Sequence, residues 1–230
     1  MVQEGRARRS LEKAVVVLDS LMITDGVGGT LGPLYYEFER SSLVQLGGIE
    51  ERTVSTLLQT IAGLRQPVGG AVSLYGAVAH SDEGRSIVAY SSPSIRLLPG
   101  LTIVENAVLC GCCRANGERI DGLPDELADL LLSAELLQST LAGELDPLKA
   151  ARAAQVVLLA SLARVICLDG SLENFDRDER VILARYLEAR TDAGAVVLTS
   201  PAVGSALGLP IGVVAIAATT QPPVRKRRRR

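Results

Sequence analysis

The sequence predicts an α/β fold in which a mostly parallel sheet is covered by helices. Short apolar segments of strand length alternate along the chain with longer segments of helical periodicity. The run before Asp169 is apolar at four consecutive positions, as expected for a strand buried on both faces. A β-rich part comes first, and a helical insert subdomain is expected at about residues 103–150. With 230 residues, 47% of them apolar, the chain can bury a substantial core.

The individual elements follow from local composition. Apolar and β-branched runs bounded by glycine, proline or polar residues predict strands at 14–18, 35–38, 42–46, 71–74, 87–90, 165–169, 195–199 and 212–218. The glycine-rich residues 26–32 predict a loop between the first two strands. Helical periodicity predicts helices at 57–63, 149–163 and 176–190, and it covers most of 105–144 with breaks at 116–117 and 122–124.

Charge is distributed unevenly and indicates the domain limits. Residues 13–220 are predicted to form a single domain between a disordered basic segment, 1–12, and a disordered basic tail, 221–230. Six of the 24 basic residues lie in the tail, so the rest of the chain contains 18 basic and 26 acidic residues. Such a tail could contact an anionic membrane surface or nucleic acid phosphates. Aromatic residues make up only 3%, which argues against a base-stacking surface and against nucleic acid as a partner.

Several protein classes are excluded at this stage. No apolar run reaches the roughly 18 residues of a membrane-spanning helix, because Arg164 interrupts the longest one. The N-terminal residues lack a secretory apolar segment, so a cytoplasmic location is expected, with peripheral contact at the inner membrane face through the tail. Cysteines 110, 112, 113 and 167 lack a nearby histidine, and we expect reduced thiols rather than metal ligands.

Residues 48–56, Gly-Ile-Glu-Glu-Arg-Thr-Val-Ser-Thr, lie between a strand and a helix, where a phosphate-binding loop is found in other proteins. A loop of the form G-x-x-x-x-G-K-[ST] wraps phosphates with backbone N–H groups and reaches the outer ones with its lysine. Here Thr53 replaces the second glycine and Val54 replaces the lysine. Glu50 and Glu51 would place negative charge beside a polyanion. We therefore expect no cofactor, with ATP and Mg²⁺ bound at most weakly.

Three segments in order carry a family resemblance. The first covers residues 55–76, the second is Leu-Pro-Gly-Leu-Thr-Ile at 98–103 followed by Glu105-Asn106, and the third is the interval 145–169. Together they resemble the nucleotide-binding domain of ATP-binding-cassette (ABC) transporters, over roughly residues 18–218. The resemblance implies a P-loop-NTPase-like fold and a partner that is a transmembrane transporter subunit or another ABC-type domain.

The positions that would carry the family's chemistry are mostly substituted. The resemblance places the catalytic glutamate at Gly170, the phosphate-sensing glutamine at Pro93 and the switch histidine at Ser200. Glycine at position 170 cannot act as a general base. The Ser-Gly-Gly signature becomes the sequence Leu-Asp-Pro-Leu-Lys at 145–149, in which proline supplies no N–H group and Asp146 repels phosphate. No catalytic residue is therefore expected.

A few matching positions remain. Gly48, Ser55 and Thr56 match the phosphate loop, Asp169 matches the magnesium position, and Asp176 matches a dimer contact. Each polar member also has a local explanation, because Ser55 can cap a helix, Asp169 can end a strand and Asp176 can begin a helix. The family's adenine-stacking aromatic would fall near Asp25.

The favoured function is a pseudo-ATPase scaffold or regulatory subunit, docked on a membrane subunit through a groove around residues 93–105. One alternative is a weakly hydrolysing ATPase that energises a transporter through Ser55 and Asp169. A second alternative is a nucleic-acid- or membrane-surface-binding module that acts through the basic tail. In the family dimer each ATP lies between one phosphate loop and the partner's signature, and this chain has altered both.

Overall fold

A computed structural model describes residues 14–25, 28–110, 114–116, 119–121, 127, 130, 140–170, 172–208 and 211–217. The strands are β1 (Ala14–Thr24), β2 (Thr30–Glu39), β3 (Ser42–Gly47), β4 (Gly69–Leu74), β5 (Ala77–Val78), β6 (Val88–Ser91), β7 (Arg114–Asn116), β8 (Arg119–Asp121), β9 (Val165–Leu168), β10 (Val196–Thr199) and β11 (Gly212–Ala215). The helices are α1 (Glu51–Ile61), α2 (Asp82–Ile87), α3 (Ile103–Leu109), α4 (Pro147–Leu159), α5 (Arg177–Asp192) and α6 (Pro201–Leu207). The predicted α/β fold class is confirmed.

A parallel sheet forms the centre, in the order β11-β3-β10-β9-β6. Every residue of β9 and β10 is buried, which explains why both strands are apolar except for Thr199 at the end of β10. Their side chains alternate between two core clusters. Ile166 and Val197 pack with α4, α5 and α6, whereas Cys167 and Leu198 pack with α1, β1 and β4. Helices α4, α5 and α6 thus cover one face of the sheet, and helix α1 together with a second sheet covers the other.

That second sheet is antiparallel, in the order β2-β1-β4-β5, and confirms the β-rich N-terminal part. The loop predicted at 26–32 is shorter than expected. Thr24 pairs with Thr30 and Ile23 pairs with Leu31, so the glycine-rich stretch already belongs to β2 from Thr30 onward. Cross-strand pairing with β1 extends this strand beyond the aromatic segment 35–38 that predicted it.

The helical insert is only partly as predicted. A capping box between Thr102 and Glu105 starts α3 at the expected place. Within the predicted helical stretch 105–144, however, β7 and β8 pair as antiparallel strands, so the helical prediction is wrong there. Of the predicted break at Asn116-Gly117, Asn116 is the last residue of β7, and Gly117 lies outside the described residues. The second break, at 122–124, lies outside the described residues.

Other boundaries differ by a few residues. Helix α4 spans Pro147–Leu159 instead of 149–163, because Asp146 caps its start and residues 160–164 turn into β9. The short elements α2, β5 and α6 were not predicted from the sequence. The predicted terminal segments 1–12 and 221–230 lie outside the described residues. None of the helices in the described part of the chain is long and apolar enough to span a membrane.

Candidate functional site

The residues selected from the sequence come together at the carboxyl ends of the parallel strands. Asp169 follows β9, Ser200 follows β10, and Pro93 lies two residues after β6. Strand β3 leads through Gly48 into α1, which carries Ser55. Because parallel strands share one carboxyl edge, these residues converge there, at the edge where open α/β sheets usually bind ligands.

The carboxylate of Asp169 is buried and is bonded through both oxygens. Ser55 Oγ donates to Oδ1 at 2.8 Å, and the Tyr90 hydroxyl donates to Oδ2 at 2.8 Å. Gln59 Nε2 in turn donates to the Tyr90 oxygen at 3.3 Å. Burial, and next the hydrogen bond to Asp169, raise the pKa of Tyr90 and keep it a neutral donor. The site is thus a closed hydrogen-bond network joining α1, β6 and the end of β9.

Tyr90 and Gln59 were not selected from the sequence. Tyr90 ends the predicted strand 87–90, and a tyrosine at the carboxyl end of a buried strand offers a polar tip to whatever lies at that edge. Gln59 lies one turn after Ser55 on α1, so the helical spacing predicts that both side chains lie on the same face of the helix. Neither residue belongs to a recognisable motif, so no sequence signal identifies them as members of the site.

The predicted phosphate loop 48–56 is largely helical, which corrects the sequence prediction. Helix α1 begins at Glu51, and the N–H groups of Thr53 and Val54 donate to the Glu50 carbonyl at 2.9 and 3.0 Å. No glycine interrupts residues 49–56, and Glu51 in the first turn favours a helix start. The Thr53 hydroxyl also donates to the Asp25 carbonyl at 2.9 Å, and Val54 is fully buried.

Gly48 and Thr56 have structural roles in this arrangement. Gly48 has φ +80°, and a Cβ there would lie 3.2 Å from Ala215 Cα, so the glycine permits the close approach of β11. The Thr56 hydroxyl donates to the Arg52 carbonyl at 3.2 Å and accepts from Arg65 at 3.3 Å. The structure therefore brings Ser55, but not the Thr56 hydroxyl, into contact with Asp169.

The three substituted catalytic positions meet one another. Gly170 donates its N–H to Ser200 Oγ at 3.1 Å. It has φ +58°, and a Cβ at this position would lie 3.7 Å from Pro93 Cγ. The positions that the resemblance assigned to glutamate, glutamine and histidine thus form one small cluster. That cluster offers a hydroxyl and backbone groups, and no carboxylate or imidazole of its own.

The start of α4, where the resemblance placed the signature, is capped from within. Asp146 is the N-cap residue, and its carboxylate accepts the N–H groups of Leu148 and Lys149 at 3.1 and 3.0 Å. Pro147 occupies the first turn and has no N–H group. The N–H groups that could bind an external anion at this helix end are therefore already paired with a side chain of the same helix.

The remaining candidates take the local roles considered above. Asp176 caps α5 in a capping box with Glu179. Asp25 accepts the N–H of Gly29 at 2.8 Å while its carbonyl receives the Thr53 hydroxyl, so this segment is tied to the start of α1. His80, the single histidine of the sequence, is exposed in a turn. Across the described residues, no group of three or more His, Cys, Asp or Glu side chains is arranged to hold a metal ion.

Comparison with known proteins agrees on the fold. No family model matches the chain. An ATP-binding subunit of an ABC transporter superposes with a TM-score of 0.67 at 20% identity, covering 81% of this chain and 78% of that structure. This is the fold of an ABC nucleotide-binding domain. A dimeric bacterial ABC transporter cassette gives 0.64 at 17% identity, with 84% and 90% covered. An ABC transporter ATP-binding protein from Pyrococcus furiosus gives 0.60 at 18% identity, with 80% and 90% covered.

The sequence resemblance extends to one curated protein. An ABC-type transporter of Penicillium crustosum is 23% identical over 228 residues, which cover 86% of this chain. The chain spans 31% of the length of that relative. The resemblance to ABC nucleotide-binding domains inferred from the sequence is therefore confirmed at the level of the fold.

On this ABC-type fold, the groove predicted around residues 93–105 contains a small apolar pocket of about 150 Å³. Leu97, Leu98, Leu109 and Val157 contribute to its walls, and Leu98 and Leu109 are 55% and 65% exposed. The Asn106 side chain fixes the preceding loop, because it accepts the Leu98 N–H at 2.8 Å and donates to the Leu98 carbonyl at 3.1 Å. Exposed apolar side chains next to a fixed loop form a rigid apolar surface at this position.

Proposed function

We propose that this ABC-type domain is a pseudo-ATPase that acts as a scaffold or regulatory subunit of a membrane transporter. The observation that carries the proposal is the helical start of α1 at Glu51, where the N–H groups of Thr53 and Val54 bond to the Glu50 carbonyl. A triphosphate would have to unwind this turn before backbone N–H groups could bind it. The missing lysine and the charges of Glu50 and Glu51 would oppose that rearrangement.

The residues present do not fit Mg-ATP. Ser55 and Asp169 offer oxygen ligands of the type that Mg²⁺ prefers, but the ion usually completes its coordination with substrate phosphates and water. Both Asp169 oxygens already accept hydrogen bonds, so the network is satisfied without an ion. Without a phosphate-binding loop, Mg²⁺ would lose the ligands that normally anchor it. We therefore expect no nucleotide cofactor.

A scaffold is favoured over a regulatory half of an ATP-dependent heterodimer. The resemblance implies that each ATP lies between one domain's phosphate loop and the partner's signature helix. Here the loop is helical, and Asp146 occupies the N–H groups at the start of α4. A dimer with an intact partner would therefore have both of its nucleotide sites impaired.

The proposed partner is a transmembrane transporter subunit that docks in the apolar pocket near Leu98 and Leu109. Exposed apolar side chains beside a fixed loop suit an interaction surface. The domain would work at the cytoplasmic side of the membrane, where the tail's basic residues 225–230 could contact anionic lipid.

Equilibrium binding of Mg-ATP tests the pseudo-ATPase role. Calorimetry and melting at millimolar nucleotide should give no binding heat and no rise in Tm, whereas a ligand at 100 times its Kd would add about 2.7 kcal/mol. Saturable micromolar binding that disappears in Ser55→Ala would contradict the proposal. Thr56→Ser is the matched control, since its hydroxyl bonds within α1 and does not contact Asp169.

The docking surface and the tail have separate tests. Leu98→Glu and Leu109→Glu should release the protein from the membrane fraction of cells, whereas Val181→Glu, at a 45% exposed position on α5, should not. Unchanged membrane recovery in both groove variants would exclude this surface. Deleting residues 225–230 should lower membrane recovery if the tail contacts lipid. Salt-sensitive binding to nucleic acid that disappears with the tail would instead favour the binding-module alternative.

One observation favours the alternative of a weakly hydrolysing ATPase. Ser55 and Asp169 keep the mutual geometry expected of a magnesium-binding pair, with their oxygens 2.8 Å apart. That function requires ATP hydrolysis that is lost in Asp169→Ala. Hydrolysis at background level in both the unmodified protein and the variant would exclude it.

A further inference from the structure

A second pocket lies at the opposite edge of the parallel sheet from the Asp169 network. Arg40 lies two residues before β3, Arg164 directly precedes β9, and Ala195 directly precedes β10. All three line a pocket of about 230 Å³, together with Tyr75, Arg190 and Gly194 among others. The pocket therefore belongs to the amino ends of the strands, whereas Ser55 and Asp169 lie at the carboxyl ends. It is a separate site on the fold.

Two arginines of this pocket share one aromatic ring. The guanidinium carbon of Arg164 lies 3.4 Å from the centroid of Tyr75, and that of Arg40 lies 5.3 Å from it. The ring is positioned by its hydroxyl, which donates to the Gly194 carbonyl at 3.3 Å. The face of the ring attracts each cation, so one ring holds two positive charges at the pocket. An anion bound in the pocket would offset that charge.

A third arginine adds a fixed positive charge. Arg190 is half-buried and donates to the Ser161 carbonyl at 2.8 Å, to the Tyr186 hydroxyl at 2.7 Å and to the Ala163 carbonyl. These acceptors are neutral, so they hold the guanidinium in place without cancelling its charge. Arg190 is therefore an immobile source of positive potential at the pocket.

Acidic side chains do not balance these charges. Within the described residues, none of the three guanidinium groups forms an ion pair with a carboxylate. The acids nearest in sequence, Glu39, Glu188 and Asp192, are exposed and do not line the pocket. Every charged residue that lines the pocket is an arginine. Its chemistry is thus that of an anion site.

We propose that this pocket binds a phosphate monoester, either on a small soluble molecule or on a lipid headgroup. A guanidinium presents paired N–H donors that match phosphate oxygens, and the three terminal oxygens of a phosphate monoester can bond two guanidinium groups at once. Arg40 and Arg164 are exposed, and among the described residues no hydrogen bond occupies their guanidinium groups, so both are available to bond phosphate. Arg190 adds its charge without moving. The site does not depend on nucleotide binding at the Asp169 network.

Calorimetric titration with inorganic phosphate and with glycerol 3-phosphate, at fixed ionic strength in a phosphate-free buffer, tests the soluble arm. Sedimentation with phosphatidylcholine vesicles containing phosphatidic acid tests the lipid arm. Saturable binding in either arm supports the proposal, and the arm that responds identifies the source. Arg40→Gln and Arg164→Gln should each weaken binding about tenfold or more, because each removes charge-assisted hydrogen bonds.

Arg185→Gln is the matched control, since Arg185 is exposed on α5 and does not line the pocket. The Arg185→Gln variant should bind the phosphate ligands with the same affinity as the unmodified protein. The proposal is overturned if neither arm shows saturable binding, or if the Arg40→Gln, Arg164→Gln double variant binds as tightly as the unmodified protein. Binding that is lost in Ser55→Ala, but kept in the arginine variants, would place the phosphate at the Asp169 network and would also overturn it.

Discussion

Ser55 Oγ donates a hydrogen bond of 2.8 Å to Asp169 Oδ1, although 114 residues separate the two along the chain. The bond joins α1 to the end of β9, and Tyr90 completes it by donating to the second carboxylate oxygen. A buried carboxylate must have hydrogen-bond partners, and here protein donors supply them. The pair therefore has a structural role that needs neither nucleotide nor metal.

Tyr90→Phe should lower the free energy of unfolding by about 1–2 kcal/mol. The variant leaves one buried Asp169 oxygen without its donor and removes the acceptor of Gln59. Tyr35→Phe is the control, because the Tyr35 hydroxyl accepts only a bond from Ser20 near the surface and its loss should cost under about 0.5 kcal/mol. Urea unfolding measures both, and equal losses would contradict the assigned role of Tyr90.

Stability should fall as the pH rises into the alkaline range. Burial raises the pKa of Cys167, with the charge of Asp169 acting in the same direction, and burial also raises the pKa of Tyr90. The unfolded chain releases these protons at about pH 8.5 and pH 10, while the folded chain retains them. The unfolded state then binds fewer protons, so the free energy of unfolding decreases with pH.

Urea unfolding between about pH 7 and pH 11 measures this decline. Cys167→Ala should remove the part of the decline in unfolding free energy that begins near the ordinary pKa of a thiol. Tyr90→Phe should remove the part that begins near the ordinary pKa of a phenol. An identical slope in the unmodified protein and in both variants would exclude these two groups as the cause.

Val54→Lys should not restore ATP binding and should destabilise the fold by about 3–5 kcal/mol. Val54 is fully buried on α1, so a lysine there would be an uncompensated buried charge. Val54→Ala is the control, because it loses apolar packing without adding charge and should cost less, about 2 kcal/mol. A stable lysine variant that binds Mg-ATP would show that the first turn of α1 can reopen as a phosphate loop.

Asp146→Ala should destabilise the protein by about 1 kcal/mol, because the N–H groups of Leu148 and Lys149 lose their cap. Asp146→Asn keeps a capping side chain and should remain close to the unmodified stability. Chemical denaturation separates the two outcomes. Equal stability of the alanine and asparagine variants would mean that the cap contributes little.

Gly170→Glu returns a glutamate to the position that the resemblance assigns to the catalytic base, yet we expect no ATP hydrolysis. The φ of +58° costs a non-glycine residue about 1–2 kcal/mol, while the space beside Pro93 accepts a Cβ at ordinary contact distance. Gly170→Asn is the stability control, since asparagine tolerates this conformation better. Phosphate release above background in the glutamate variant would show that only the base had been lost.

The central sheet was predictable because burial leaves a direct mark on sequence. Strands β9 and β10 are buried at every residue, and all of their residues except Thr199 are apolar. The helical prediction for residues 105–144 was wrong in part, because it included Arg114–Asn116 and Arg119–Asp121, which form the paired strands β7 and β8. Such short strands are stabilised by their mutual pairing, and periodicity does not encode that pairing.

The candidate site was only half predictable. Ser55 and Asp169 were found because they match family positions, whereas Tyr90 was missed because its role depends on a carboxylate 79 residues away. Thr53 and Val54, which stand where the phosphate-binding loop has its second glycine and its lysine, could be identified from the sequence. Only the hydrogen bonds to the Glu50 carbonyl show that these residues form a helical turn.

The sequence by itself determined the α/β order of elements, the likeness to ABC nucleotide-binding domains and the residue types at the positions that this likeness assigns to catalysis, because these depend on local composition and on spacing along the chain. Tertiary structure alone decided which groups meet. Parallel pairing of β3, β10, β9 and β6 placed Ser55 beside Asp169, and the opposite edge of that sheet gathered Arg40, Arg164 and Arg190. Contacts between residues distant in sequence arise from strand order, and strand order is fixed by packing of the whole core.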